Sequence, residues 1–197
     1  LKPSSNHLNH ELAKIHLSSK QYEKALEILL ILSNKTKNRK ILFKDIGLSY
    51  FGMGKLEKAI EASDVSLSEK QDYVEALALK GKSLRELERY DEALVVLDKA
   101  LSKDSKHRDA LYQKGKVLYI IGENREALDL FNEVLDFRPR DTEVLAAKGM
   151  AHDQLGEFKD ASDSLKRSLS VEDEVVYNDR GVALGRLGYN HKAIDSY

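Results

Sequence analysis

Apolar residues recur along this chain at helical spacing, in blocks separated by short polar turns. Leu77, Leu84 and Leu87 fall on one face of a helix. After the polar Glu88-Arg89-Tyr90, the set Ala93, Leu94, Leu97 and Leu101 falls on one face of the next. The pattern predicts a first helix from about Val74 to Leu87, a tight turn, and a second helix from about Asp91 to Asp104. Corresponding turns carry Gly54, Gly122, Gly156 and Gly188, where glycine supplies backbone freedom just past a helix end.

Two residue series show that this hairpin repeats. Gly47, Gly81, Gly115, Gly149 and Gly181 are separated by 34, 34, 34 and 32 residues. Ala25, Ala59, Ala93, Ala127, Ala161 and Ala193 follow the same 34-residue step and shorten to 32 at the same place. A shared period of this length marks stacked supersecondary units. Glycine inside a helix costs ~1 kcal/mol relative to alanine, so five at one register imply a close approach. The expectation is that each first-helix glycine and second-helix alanine let the two backbones approach at their crossing.

Gln21-Tyr22-Glu23-Lys24-Ala25-Leu26, Arg89-Tyr90-Asp91-Glu92-Ala93-Leu94 and Glu157-Phe158-Lys159-Asp160-Ala161, with the repeating glycines and Pro139 ending a second helix, carry a family signature. The chain resembles the tetratricopeptide repeat family over essentially its whole length, from about Asn6 to Tyr197. The resemblance implies an all-α, right-handed superhelical solenoid of antiparallel helix-turn-helix repeats. It implies one array over 1–197, with units at about 6–39, 40–73, 74–107, 108–141, 142–173 and a partial 174–197. Ala13 stands where other units have glycine, Lys20 occupies the first turn, and the fifth unit is two residues short near Val171 to Asp173. The sixth unit stops inside its second helix, no initiating methionine is present, and no polar capping helix is seen. These features read as a piece of a longer chain whose uncapped ends are candidates for self-association.

Composition narrows the function. With 32 basic and 33 acidic residues the charges balance, which argues against general nucleic-acid or membrane-surface binding. The absence of cysteine excludes disulfides, thiolate metal sites and cysteine nucleophiles, and suits a reducing, cytoplasmic setting. The longest apolar run, Ile28 to Leu32, is too short to span a bilayer. Lys80-Gly81-Lys82-Ser83 resembles the end of a phosphate-binding loop but falls inside a predicted helix, where its amides are already committed. His7, His10 and Glu11 share a helical face that could approach a metal, with a frayed amino-terminal helix as the simpler reading. His16 and His152 replace an inner aromatic position and are expected to pack. No catalytic spacing appears, so neither an enzyme, a cofactor nor a metal is expected.

The resemblance also places a binding groove on the inner side of the first helices. At the matching positions stand Lys44, Phe51, Lys82, Arg85, Tyr112, Lys116, Tyr119, Met150, Asp153, Asn178 and Arg186. Lys82 and Lys116 share a register in adjacent units and are expected to be near neighbours. The expected function is a non-enzymatic protein-interaction scaffold that holds a peptide or protein segment in this groove. Alternatives are the substrate-selecting region of a larger enzyme and, weakest, an RNA-binding helical array. Some family members grip a chain-terminal carboxylate with five basic and asparagine side chains. Here those positions hold His10, Lys14, Asp45, Glu75 and Leu79, or one unit later Lys44, Leu48, Leu79, Asp109 and Gln113. Neither set forms that clamp.

Overall fold

A computed structural model describes residues 3–35 and 39–169. All regular structure among them is helical: α1 (Pro3–Ser18), α2 (Tyr22–Ser33), α3 (Arg39–Gly52), α4 (Leu56–Glu69), α5 (Val74–Glu86), α6 (Tyr90–Lys103), α7 (Arg108–Ile120), α8 (Asn124–Phe137), α9 (Thr142–Gln154) and α10 (Phe158–Ser168). The two helices predicted from the Val74 block are α5 and α6, each within a residue or so of its expected bounds. The chain divides into two compact units, residues 1–110 and 111–197, with the boundary in the first turn of α7. In the first unit α1 packs on α2, α3 on α4 and α5 on α6, while α2 also packs on α3 and α4 on α5. In the second unit α8 packs on α9 and α9 on α10. The shortened loop at Val171 to Asp173 and the partial sixth unit lie outside the described residues.

Each described hairpin reverses in the same way. The residue just past the first helix takes a left-handed backbone: Lys20 (φ 56°), Gly54 (71°), Glu88 (59°), Gly122 (93°) and Gly156 (74°). Its amide reaches back three residues and the next amide reaches back five. In the third hairpin, Glu88 N donates to Arg85 O at 3.0 Å and Arg89 N to Leu84 O at 2.9 Å. In the fourth, Gly122 N donates to Tyr119 O at 3.2 Å and Glu123 N to Leu118 O at 2.9 Å. This pair of bonds satisfies carbonyls that a helix end would otherwise leave open. Gly54, Gly122 and Gly156 therefore sit where a left-handed residue is required, as the sequence predicts; Gly188 is outside the described residues.

The alanine series marks the core. Ala25, Ala59, Ala93, Ala127 and Ala161 are all completely buried. The glycine series meets the alanine backbone, as expected, at Gly47 and Gly149, where an added Cβ would lie 3.3 Å from the alanine carbonyl, and it also makes room for a large side chain. A Cβ placed on Gly81 would lie 2.6 Å from Leu97 Cγ, one on Gly115 2.5 Å from Phe131 Cε1, and one on Gly149 2.8 Å from Leu165 Cγ. Leu97, Phe131 and Leu165 each stand one helical turn beyond the conserved-register alanine. Glycine makes room for a large side chain of the second helix, and alanine for the carbonyl side of the approach: a Cβ at position 149 would lie 3.3 Å from Ala161 O. In the second hairpin the large residue is replaced by Ser63, so Leu79 from α5 fills the space above Gly47 instead, at 2.9 Å. The Lys80-Gly81-Lys82-Ser83 stretch is inside α5, which removes its amides from phosphate binding.

Candidate functional site

In the first unit α3 adjoins both α1 and α5, which brings predicted inner residues of neighbouring first helices side by side. Lys82 of α5 places Nζ 4.3 Å from the ring centroid of Phe51, at the end of α3. A lysine over an aromatic face contributes ~0.5–1 kcal/mol when exposed, and both side chains here are half-buried. Arg85 is 9% exposed and its Nη2 donates to Glu86 Oε1 at 2.6 Å. It stands at the edge of the face, with most of its surface covered.

The first unit also holds a buried acid. Asp45 of α3 is 1% exposed, accepts from Lys44 Nζ on Oδ1 at 2.5 Å and meets His10 Nε2 of α1 on Oδ2 at 2.7 Å. A carboxylate removed from water in this way needs such partners, since an unpaired buried charge costs several kcal/mol. Lys14, one turn on from His10, is tied to Glu11 at 2.8 Å. The positions that would form a carboxylate clamp thus carry a self-paired cluster. His10 does not join His7 and Glu11 as a ligand set; it reaches across to α3. Tyr73, at the start of α5, has its phenol pushed up to about 12, first by burial and then by the negative charges of Glu75 and Asp45.

In the second unit Lys116 Nζ lies 5.6 Å from the Tyr112 ring centroid. Tyr112 itself is 1% exposed and its ring packs at 6.1 Å from Phe131. Burial gives Tyr112 a packing role beneath Lys116 and leaves it little surface of its own. Met150 is 9% exposed and serves chiefly as core. Tyr119, Lys116 and Asp153 are half-buried and retain accessible surface. Lys82 and Lys116 belong to different units, and Asn178 and Arg186 lie outside the described residues.

Two histidines act at helix ends. His16 Nδ1 is 2.8 Å from Gln21 Oε1, and His152 Nδ1 is 2.7 Å from Glu157 Oε2, the same contact four repeats apart. His152, Glu157 and Asp160 bring potential ligand atoms within 4.8 Å of one another. Glutamine serves equally well in the first hairpin, and Arg125 lies 3.9 Å from Glu157. The arrangement is that of a tie between a helix end and its turn. No helix among the described residues is long and apolar enough to cross a membrane.

Profiles described as tetratricopeptide repeat match residues 84–150 and 142–174. The chain is a tetratricopeptide-repeat protein. A tetratricopeptide repeat protein from Parabacteroides merdae is 18% identical, with a TM-score of 0.71 over 98% of this chain and 77% of its own. MamA is 22% identical, with a TM-score of 0.59 over 77% of this chain and 90% of its own. The 41-end portion of MamA from Desulfovibrio magneticus is also 22% identical, with a TM-score of 0.63 over 81% and 91%. At such identities the likeness shows the all-α repeat fold. No curated protein matches the sequence. Sequence reasoning noted His10 and Asp45 as missing clamp residues but not as partners. The signal was their separation of 35 residues, one repeat plus one, which sets first helices of adjacent tetratricopeptide hairpins facing each other.

Proposed function

We propose that this protein is a non-enzymatic interaction scaffold whose first-helix faces hold a peptide or protein segment. The tetratricopeptide repeats support the scaffold role itself, since stacked helical hairpins present extended surfaces of this kind. The observation that carries the finer reading is the Lys82–Phe51 pair, a cation held 4.3 Å over a half-buried ring on the inner face of the first unit. Such a pair offers an apolar platform and a charge together, and suits a partner segment that brings an apolar side chain next to an acidic one. Exposed lysine–carboxylate pairs contribute only ~0–1 kcal/mol, so burial against Phe51, and against Tyr119 in the second unit, carries most of the affinity. The first helices of the five described hairpins are read as presenting faces of this kind.

The test is a pull-down with the full chain, identification of the captured protein by mass spectrometry, and titration of that protein against variants. Lys82→Glu together with Lys116→Glu is expected to weaken binding at least about tenfold, a loss of ~1.4 kcal/mol. Unchanged affinity in the folded double variant removes these faces from the account.

A further inference from the structure

The loop between α8 and α9 departs from the other loops that join one hairpin to the next. At the 34-residue step, its Arg138 and Arg140 correspond to Lys70 and Asp72 before α5, and to Asp104 and Lys106 before α7. Those two loops neutralise themselves. Lys70 stands 3.9 Å from Asp72, and Asp104 accepts from the Lys106 amide at 3.1 Å. Arg138 and Arg140 bring two positive charges to the same places.

Arginines elsewhere are answered by a carboxylate: Arg39 by Glu69, Arg85 by Glu86, Arg89 by Glu92, Arg108 by Asp109 and Arg125 by Glu157. Among the described residues, neither Arg138 nor Arg140 finds a side-chain hydrogen bond or an ion pair, and both are exposed. With Pro139 and Asp141 they line a cleft of about 460 Å³. The Asp141 carboxylate is engaged by its own helix, with Oδ1 accepting from Val144 N at 3.2 Å.

The loop is also held in one shape. Arg138 N donates to Val134 O at 2.8 Å and Asp141 N to Arg138 O at 3.0 Å. Pro139 fixes its own φ and disfavours the helical conformation at Arg138. From α10, Arg167 Nη2 donates to Pro139 O at 3.2 Å, which adds a third guanidinium beside the loop. Burial first, and then the Arg167 charge, draw the Lys148 ammonium below its ordinary range, against the opposing pull of Asp160 and Asp136.

We propose that Arg138 and Arg140 form an oxyanion site for a phosphorylated side chain of a partner protein. A phosphate monoester carries about −1.5 to −2 charge near neutral pH and three acceptor oxygens. One such group can take a forked bond from each guanidinium, whereas a carboxylate, with one charge and two oxygens, fills a single fork. An extended polyanion fits less well. The chain carries a net charge of −1, and Asp136 and Asp141 flank the arginines, so the positive field is local. The site is separate from the first-helix faces and does not depend on them.

Titration of the isotope-labelled full chain with the blocked tripeptide alanyl-phosphoserinyl-alanine, followed by NMR amide shifts at low salt, tests this. Saturable shifts are expected in the α8–α9 loop, with a Kd on the order of 1 mM. Arg138→Gln with Arg140→Gln removes no side-chain bond within the chain and should weaken binding at least about tenfold. Arg138→Lys with Arg140→Lys keeps the charge, loses the fork and should weaken it as well. Arg125→Gln should leave it unchanged. The absence of a saturable shift up to about 20 mM, an equal response to the serine or glutamate tripeptide, or an equal loss in Arg125→Gln would overturn the proposal. Binding to phosphatidylserine vesicles that needs both arginines, without a response to the phosphopeptide, would overturn it too and assign the loop to a membrane surface.

Discussion

Replacing Gly81 with alanine sets two opposed effects against each other, and the structure decides between them. On helix propensity alone the change stabilises by ~1 kcal/mol. The new Cβ, however, would stand 2.6 Å from Leu97 Cγ, 2.7 Å from Cδ2 and 3.2 Å from Cδ1. Leu97 is completely buried, so it has no open space into which to turn. Overpacking of this kind costs ~1–3 kcal/mol, and contacts this short belong in the upper part of that range. The expected net result is a destabilisation of about 1–2 kcal/mol, read as a lower urea midpoint by circular dichroism. The background variant makes the reasoning sharper. Leu97→Ala alone should cost ~2–5 kcal/mol by opening a cavity. In that background the obstacle is gone, and Gly81→Ala should stabilise by ~1 kcal/mol. The sign of one substitution is therefore expected to reverse with the residue opposite. A Gly81→Ala that stabilises the wild-type chain, or that has the same sign in both backgrounds, refutes the close-approach account.

The turns give a second prediction. Glu88 holds a left-handed backbone that costs a non-glycine residue ~1–2 kcal/mol, so Glu88→Gly should stabilise by ~0.5–1 kcal/mol after the greater unfolded-state entropy of glycine is deducted. Gly122→Ala should destabilise by a similar ~1 kcal/mol through backbone strain alone, because nothing lies within 4 Å of an added Cβ there; chemical denaturation of both variants checks the pair. The third concerns pH. Tyr73 is raised from 10.0 to about 12 by burial and by Glu75 and Asp45, so the folded state favours the protonated phenol. Its contribution is fully present below pH 10 and is lost as pH rises through 12. Alkaline titration of tyrosinate absorbance should show a late-titrating step that is lost in Tyr73→Phe. Titration of that variant with the late step intact would contradict the assignment.

The repeat itself was legible because its determinants are local. Helical spacing, glycine after a helix and alanine at a crowded register each leave a mark in neighbouring residues, and 34-residue recurrence multiplies the signal. Glu88 and Lys20 adopt the glycine conformation without being glycine, and the recurrence alone locates those turns. The partner of each first-helix glycine was harder. The nearest neighbour of Gly81 is Leu97, one turn beyond Ala93, and spacing within a helix does not report how two helices are offset. Surface positions were hardest. Tyr112 and Met150 occupy registers that line a face in the family, but their burial depends on what packs around them, including Phe131 beside Tyr112.

The pairing of His10 and Lys44 with Asp45 bears on what the first unit can bind. A chain-terminal carboxylate needs donors that are not already engaged. At this place the protein supplies a carboxylate of its own, 1% exposed and held from two helices. A second anion there would meet Asp45 at short range in a partly desolvated setting, where like charges repel more strongly than in water. Glu75, which also helps raise Tyr73, adds to that negative field. Toward α5 the character changes, with Lys82 carried on Phe51. The inner face of the first unit is therefore polarised along its helices: acid-rejecting near α1 and acid-accepting near the α3–α5 edge. In the proposed scaffold role, a bound segment is expected to direct its acidic group to Lys82 and away from the buried carboxylate.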